Sequence, residues 1–281
     1  MESRLAPVPA TVADATAPAG TAARGVALVT GGARRLGRAI ALALARDGWD
    51  VAVHYRASRA EAEATVAEIV ALGRRAAAVA ADLEVEAEVA ALHDACAAAL
   101  GPARCVVNNA SLFEYDVAAD FSYALLERHA RANLAAPMLL ARELHRRLPA
   151  SAGGAQAGVV INLLDRKLFR YNPDYLSYSV AKAGLQAATA MLAQALAPQV
   201  RVVGVAPGAV LTSPFLTEQR LASLRDQRLL ADLTGAADIA AAVVYLAGAA
   251  AVTGVTLPVD AGEHLVAGAR DVAFLPSAPG T

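Results

Sequence analysis

A tyrosine and a lysine stand four residues apart in Tyr178-Ser179-Val180-Ala181-Lys182. Positions i and i+4 share one face of a helix, so this spacing sets a phenol beside an ammonium. A neighbouring cation favours phenolate over phenol, and Lys182 is therefore expected to lower the Tyr178 pKa from ~10 toward neutrality. A phenol tuned in that way suits a general acid. The same spacing also describes an ordinary surface pair, so these two residues alone do not decide. A second group offers a binding chemistry. In Thr30-Gly31-Gly32-Ala33-Arg34-Arg35-Leu36-Gly37, glycines let the backbone approach a pyrophosphate, and a following helix N-terminus points its amides there. Gly31, Arg34, Arg35, Leu36 and Gly37 are the expected contacts. A tight turn with no ligand is the alternative.

Charge near this turn bears on which dinucleotide would fit. A site for NAD usually has an acid at the end of the second strand, on the ribose 2′-hydroxyl. Here that strand ends His54-Tyr55-Arg56-Ala57-Ser58, with no acid. Arg56 and Ser58, joined by Arg34 or Arg35, suit a 2′-phosphate, and His54 and Tyr55 are expected cofactor contacts beside them. NADP(H) is the expected cofactor, the alternative being that these arginines are solvated surface charges. Asp82 and Leu83 follow the third strand and are expected beside the adenine, unless Asp82 simply caps the next helix.

These residues need elements to position them. β-rich runs at 26–30, 51–55, 76–80, 105–108, 159–163, 200–205 and 255–259 alternate with helical stretches at 36–46, 61–72, 85–100, 123–147, 176–197 and 239–246. Alternation of that kind predicts an α/β fold, a single Rossmann-like doubly wound parallel sheet of seven strands with helices on both faces. The strands are apolar throughout, as strands covered on both faces should be. A chain of 281 residues with 57% hydrophobic and 18% charged residues can build one large core, which excludes wholesale disorder. The net charge of −1 advertises no nucleic-acid or acidic-membrane partner. The Ala- and Pro-rich residues 1–24 are expected to be a disordered extension rather than a signal peptide. Residues 25–266 form the domain, and 267–281 a flexible tail or inter-subunit arm. The uncharged stretch 239–259 is long enough to span a membrane, but Gly248, Gly254 and Pro258 interrupt it, and a helix, turn and strand are expected instead. Cys96 and Cys105 are too few for a disulfide framework and fit buried thiols in a reducing compartment, so a cytoplasmic protein is expected.

With Asn108-Asn109-Ala110 after the fourth strand and Asn133 on the long helix, the combined motifs resemble the short-chain dehydrogenase/reductase family from Val26 to Leu265. The resemblance implies that Tyr178 donates a proton, that Lys182 binds the nicotinamide ribose and tunes the tyrosine, and that Asn133 anchors a water in the proton relay. It also implies that Asn109 and Ala110 line the cofactor site, that Pro207, Gly208, Val210 and Thr212 lie beside the carboxamide, and that the chain forms a homotetramer or homodimer. Several positions depart from the usual family pattern. Asp165 stands where most members have serine, Arg35 replaces the middle glycine of the turn, Ser111 follows Asn109-Ala110 in place of glycine, Phe113 lies two residues on, and Ala261 replaces a glycine near the end. This combination is similar to pteridine reductases and to bacterial dihydromonapterin and dihydrofolate reductases.

The departures make chemical sense for a pterin. Reducing a ring C=N requires a proton delivered to nitrogen, and a carboxyl at Asp165 beside Tyr178 could supply or relay it. Phe113 could stack on a flat heterocycle, and Arg35 and Ser111 could hydrogen-bond its polar atoms. The alternatives are that Asp165 is a degenerate serine, Phe113 is core, and Arg35 serves only the phosphate. The chain would then reduce carbonyl groups of acyl, sugar or polyketide substrates. A non-catalytic NADP-binding sensor is a further alternative, against which the complete set of Tyr178, Lys182 and Asn133 weighs. Residues 169–175 are expected to add aromatic contacts at the mouth, and 214–234 to form a mobile lid that sets substrate choice. No cluster has metal-ligand spacing, so no catalytic metal is expected.

Overall fold

The computed structural model describes residues 11–13, 23–148, 158–210, 216–217, 229–230, 235–266 and 269–274. In chain order the regular elements are β1 (Thr11–Ala13), β2 (Gly25–Val29), α1 (Arg35–Arg46), β3 (Trp49–Tyr55), α2 (Arg59–Ala71), β4 (Ala76–Ala80), α3 (Glu86–Leu100) and β5 (Ala103–Asn108). They continue with α4 (Tyr123–Ala130), α5 (Ala136–Arg147), β6 (Gly158–Leu163), α6 (Leu176–Ala195), β7 (Val200–Pro207), α7 (Ala236–Gly248) and β8 (Thr256–Val259). The sheet order is β1-β4-β3-β2-β5-β6-β7-β8. From β4 to β8 every pairing is parallel. The chain runs outward from β2 to β4, then crosses back to place β5 on the other side of β2. That reversal opens a crevice beyond the carboxyl ends of β2 and β5, the usual ligand position in such sheets.

The seven expected strands are β2 to β8, and the structure adds an eighth. β1 pairs antiparallel with the free edge of β4, Thr11 opposite Ala78 and Ala13 opposite Ala76. It falls within residues 1–24, which were expected to be disordered. Three residues are too few to display a two-residue alternation, so periodicity could not reveal them. The other residues of that extension, apart from 23 and 24, lie outside the described residues.

Both sheet faces are covered. One face buries Val29, Val53 and Ile161 against Ile40 and Leu44 of α1, Ile69 of α2 and Val243 of α7. The other buries Leu28, Val106 and Val160 against Leu92 of α3 and Leu140 and Leu144 of α5. All seven residues of β3 are buried, and so are all six of β6. Stretch 239–259 resolves into the end of α7, a turn and β8, and among the described residues no helix is long and apolar enough to cross a membrane. Cys96 and Cys105 are free and buried, and burial pushes both thiols up to about 12.

The long helix expected over 123–147 is interrupted. A π-helical turn, Arg131–Ala135, separates α4 from α5, and the Ala136 amide bonds back five residues to Arg131. Pro137 supplies the reason. It has no N–H to give the carbonyl four residues earlier, so the regular ladder fails at Asn133. Single π turns place one extra residue in the helix and often sit at functional positions. Here the turn carries Asn133.

Candidate active site

The site begins where β2 and β5 are sewn together. The Thr30 hydroxyl accepts the amides of Asn109 (2.9 Å) and Ala110 (3.0 Å) and donates to the Val107 carbonyl. The Asn109 side chain returns two bonds, from Nδ2 to the carbonyls of Thr30 (2.9 Å) and Gly31 (3.2 Å). Little room is left in this turn. A Cβ on Gly37 would lie 2.0 Å from the Gly31 carbonyl oxygen. Arg35 opens α1 at φ +51°, in the left-handed region that costs a side-chain-bearing residue about 1 kcal/mol. That strain explains why glycine is usual there, and it directs an arginine into the cleft.

His54 braces the turn from the neighbouring strand. Its Nδ1 accepts the Gly31 amide (3.0 Å), and its Nε2 donates to the Ala81 carbonyl (3.0 Å). Such bonding requires neutral imidazole, and burial lowers its pKa to about 4. His54 was expected to contact the cofactor; it lines the cleft and also acts as a buried brace. Stability follows. Between the unfolded value of ~6.5 and the folded value the unfolded chain binds the extra proton, so stability is full above that window and falls as pH drops through it. Lowering pH from 7.5 to 5 should cost the parent about 2 kcal/mol more than a His54→Asn variant, as read from urea midpoints. An equal loss in both would show that His54 is not the titrating brace.

Gly31, Arg35, Gly37, His54, Asn109 and Ala110 face a cleft of about 590 Å³, within the range that holds small ligands. Of the residues expected to bind the cofactor, all but Lys182, Pro207 and Thr212, the last outside the described residues, form its walls. Arg34 and Arg56 lie at one end with Ser58, each in a long, exposed ion pair, to Glu61 and Glu84 at 3.4 Å. Pairs of that kind are weak enough to yield to a phosphate. No acid follows β3 before Glu61. Asp82 and Leu83 line the same end, and Asp82 accepts the Glu84 amide (2.9 Å), a turn contact rather than a helix cap. The cradle and its charges fit a dinucleotide bearing a 2′-phosphate.

Tyr178 and Lys182 do share the buried face of α6. A polar ladder holds that helix to the sheet: Asn108 donates to Asn162 (2.8 Å), Asn162 to Thr189 (2.9 Å), and Thr189 to the Leu185 carbonyl (2.7 Å). The Tyr178 hydroxyl donates to Asp165 Oδ2 at 2.8 Å, and Asp165 Oδ1 accepts the Lys167 amide at 2.8 Å. The expected lowering of the tyrosine pKa is reversed. Burial and then the Asp165 charge push Tyr178 well above its usual value. Lys182 does not compensate. Its ammonium bonds the Leu163 carbonyl at 2.7 Å and stands 5.8 Å from the Tyr178 ring centre, and burial lowers its own pKa to about 8.

Asn133 grips a peptide. Its Oδ1 accepts the Leu112 amide and its Nδ2 donates to the Leu112 carbonyl, both at 2.8 Å. The Ser111 hydroxyl also reaches Asn133 Oδ1 at 3.3 Å. Asn133 thereby sets the path of residues 111–113 across the cleft. Phe113 is 44% exposed, which removes the core alternative. One face of its ring stacks on Tyr175 at 4.3 Å, and the Phe113 and Tyr178 rings stand perpendicular at 4.7 Å.

Some residues at this end, Arg166, Glu263 and Asp271 among them, had no role in the sequence reading. Within 169–175, Phe169 and Tyr171 are exposed and Tyr175 is the cleft residue, buried and at φ +57°. Arg166 pairs with Glu263 at 2.6 Å, and Glu263 accepts the Ala209 amide at 3.1 Å, which fixes Gly208 and Ala209 beside the cleft. Pro207 ends β7, and Gly208 and Val210 are on the wall. His264 bonds Asp260 at 2.8 Å. The tail expectation needs correction for 269–274: this segment packs onto its own subunit and puts Asp271, Val272 and Ala273 into the wall. Most of 214–234, read as a lid, and Thr212 lie outside the described residues. Leu216, which is described, packs on Val272 and Ala273.

A sheet of this order, with this cradle and this tyrosine and lysine, matches the short chain dehydrogenase family over residues 25–221. The chain belongs to that family. It is 37% identical to an uncharacterized oxidoreductase of Mycobacterium tuberculosis over 84% of this chain and 91% of that protein. It is 31% identical to 3-oxoacyl-(acyl-carrier-protein) reductase FabG of Staphylococcus aureus, over 85% of this chain and 98% of that one. Among solved structures it resembles the FolM alternative dihydrofolate reductase 1 from Brucella canis, complexed with NADP: TM-score 0.80, 36% identity, 86% of this chain and 95% of that chain.

Proposed function

We propose that the protein is an NADPH-dependent reductase of a dihydropterin or dihydrofolate-like substrate. The observation that carries this reading is the 2.8 Å bond from the Tyr178 hydroxyl to Asp165. It puts a carboxyl behind the phenol, where most family members are expected to have a serine. The likeness to FolM, solved with NADP, supports both cofactor and substrate class. Gly31, Arg35, Leu36 and Gly37 would hold the pyrophosphate, Arg34, Arg56 and Ser58 the 2′-phosphate, and Asp82 and Leu83 the adenine. Asn109, Ala110, Lys182, Gly208 and Val210 would hold the nicotinamide half. Bound NADPH would supply a hydride to the carbon of the substrate's C=N.

The chain's own groups supply the proton. A phenol held well above its usual pKa does not readily become phenolate. Tyr178, whose hydroxyl donates to the Asp165 carboxylate, therefore passes its proton to the ring nitrogen as it takes one that Asp165 has picked up from solvent. The phenol begins and ends the step neutral, and the pair gives up one proton. The step consumes one solvent proton, so kcat/KM is expected to fall as pH rises. Phe113 offers the face not covered by Tyr175 to a flat ring, and Ser111 and Arg35 meet its polar edge.

The test is NADPH consumption, followed by near-ultraviolet absorbance on adding dihydrobiopterin, dihydromonapterin or dihydrofolate, beside ketones and a 3-oxoacyl thioester. Pterin-dependent consumption is expected. Turnover of ketones or thioesters with inert pterins would overturn the substrate class and favour the carbonyl reductase alternative. The homodimer or homotetramer proposed with this reading would cover Val180 and Met191, exposed apolar residues of α6.

A further inference from the structure

We infer that Asp271 selects the substrate's side chain, accepting hydrogen bonds from hydroxyl groups and turning away an anionic tail. The inference rests on the pterin reading above. Ser111 and Phe113 stand two residues apart on the cleft wall, and contacts lead on from Phe113, through Tyr178 with Asp165, to Tyr175, Lys167 and Asp271. A heterocycle whose polar edge meets Ser111 and Arg35, and whose reacting nitrogen meets Tyr178, extends its side chain toward the far group.

That group is built. Lys167 is 2% exposed; its Nζ bonds the Asp174 carbonyl at 2.8 Å and Asp271 Oδ2 at 3.1 Å, and lies 5.0 Å over the Tyr175 ring. The Lys167 amide holds Asp165, so one residue fixes both carboxylates. The segment that delivers Asp271 is latched as well. Arg270 Nε bonds Asp174 at 2.8 Å, and the Asp271 amide bonds the same carboxylate at 2.7 Å. Asp271 Oδ1 accepts the Ala273 amide at 3.0 Å. A carboxylate has about four lone-pair positions, and these two bonds leave others for a ligand in the cleft that Asp271 lines.

Charge sets the selection. Among the described residues here, Lys167 is matched to Asp271, Arg270 to Asp174 and Arg166 to Glu263. Asp165 faces the buried Lys182 ammonium, so these pairs leave no spare cation to receive an anionic tail. The opposite end, with Arg34 and Arg56, is the one suited to anions. A carboxylate-bearing tail brought to Asp271 meets like charge in a partly buried setting, while a hydroxyl donates to it.

The full-length protein is assayed with two dihydropterins that differ in the side chain, dihydromonapterin with its hydroxylated chain and dihydrofolate with its glutamate. The parent should favour dihydromonapterin. In Asp271→Asn, kcat/KM for dihydromonapterin should fall while that for dihydrofolate rises, shifting their ratio by roughly tenfold or more. Asp271→Glu, which keeps the charge, should restore the parent order. A purely structural brace would lower both rates together, and that result, or an unchanged ratio, overturns the inference. A parent that reduces neither substrate overturns the pterin reading itself, and this inference falls with it. The two failures are thus distinct.

Discussion

Replacing Tyr178 by phenylalanine is expected to lower kcat for a dihydropterin by about 10³-fold while leaving NADPH affinity unchanged. The substitution removes one hydroxyl. The ring keeps its place against Phe113 and its edge contact with His129 at 6.2 Å, and the cofactor cradle between β2 and β5 does not depend on it. What disappears is the hydroxyl that bonds Asp165 and that the proposed relay puts against the substrate nitrogen. The cost to folding should be small, about 1 kcal/mol for one hydrogen bond. Single-turnover absorbance gives the rate, and quenching of protein fluorescence gives the NADPH affinity. A variant that kept about a tenth or more of the parent kcat would show that another group delivers the proton.

The chemistry-bearing positions were more legible than their electrostatics. The glycine turn could be read because its placement between an apolar strand and a helix has few uses, and Thr30 with Asn109 then locks it. The Tyr178–Lys182 spacing correctly put both side chains on one buried face. It misjudged the pKa because spacing carries no information on burial or on what else points at the phenol. Asp165 is 13 residues away in sequence and 2.8 Å away in space. Asn133 was legible as a position on the long helix, but its grip on Leu112 needs the π turn. The one local signal for that turn was Pro137. Asp271 could not be read at all, because nothing in 267–281 shows periodicity. Its place depends on Lys167, 104 positions earlier.

Asp165→Ser separates the role of the carboxyl from that of the phenol. Kcat/KM for a dihydropterin should fall by about 10²-fold, the contribution of one proton-relaying group, with NADPH affinity intact. Serine can still accept the Lys167 amide that Asp165 accepts now, so the short helical turn Arg166–Phe169 should survive. Loss of the carboxylate also removes one of the two main causes that hold the Tyr178 pKa up, leaving burial. The phenol in the variant is therefore a stronger acid than in the parent, yet the reaction is slower. That combination distinguishes a relay from simple acid strength. If Tyr178 acted alone, lowering its pKa would preserve or improve proton delivery, and Asp165→Ser would match the parent. If the proton travels from Asp165 through Tyr178, the groups act in series, and the double variant with Tyr178→Phe should be no slower than Tyr178→Phe by itself. Additive losses in the double variant would instead mean that the two residues serve separate steps.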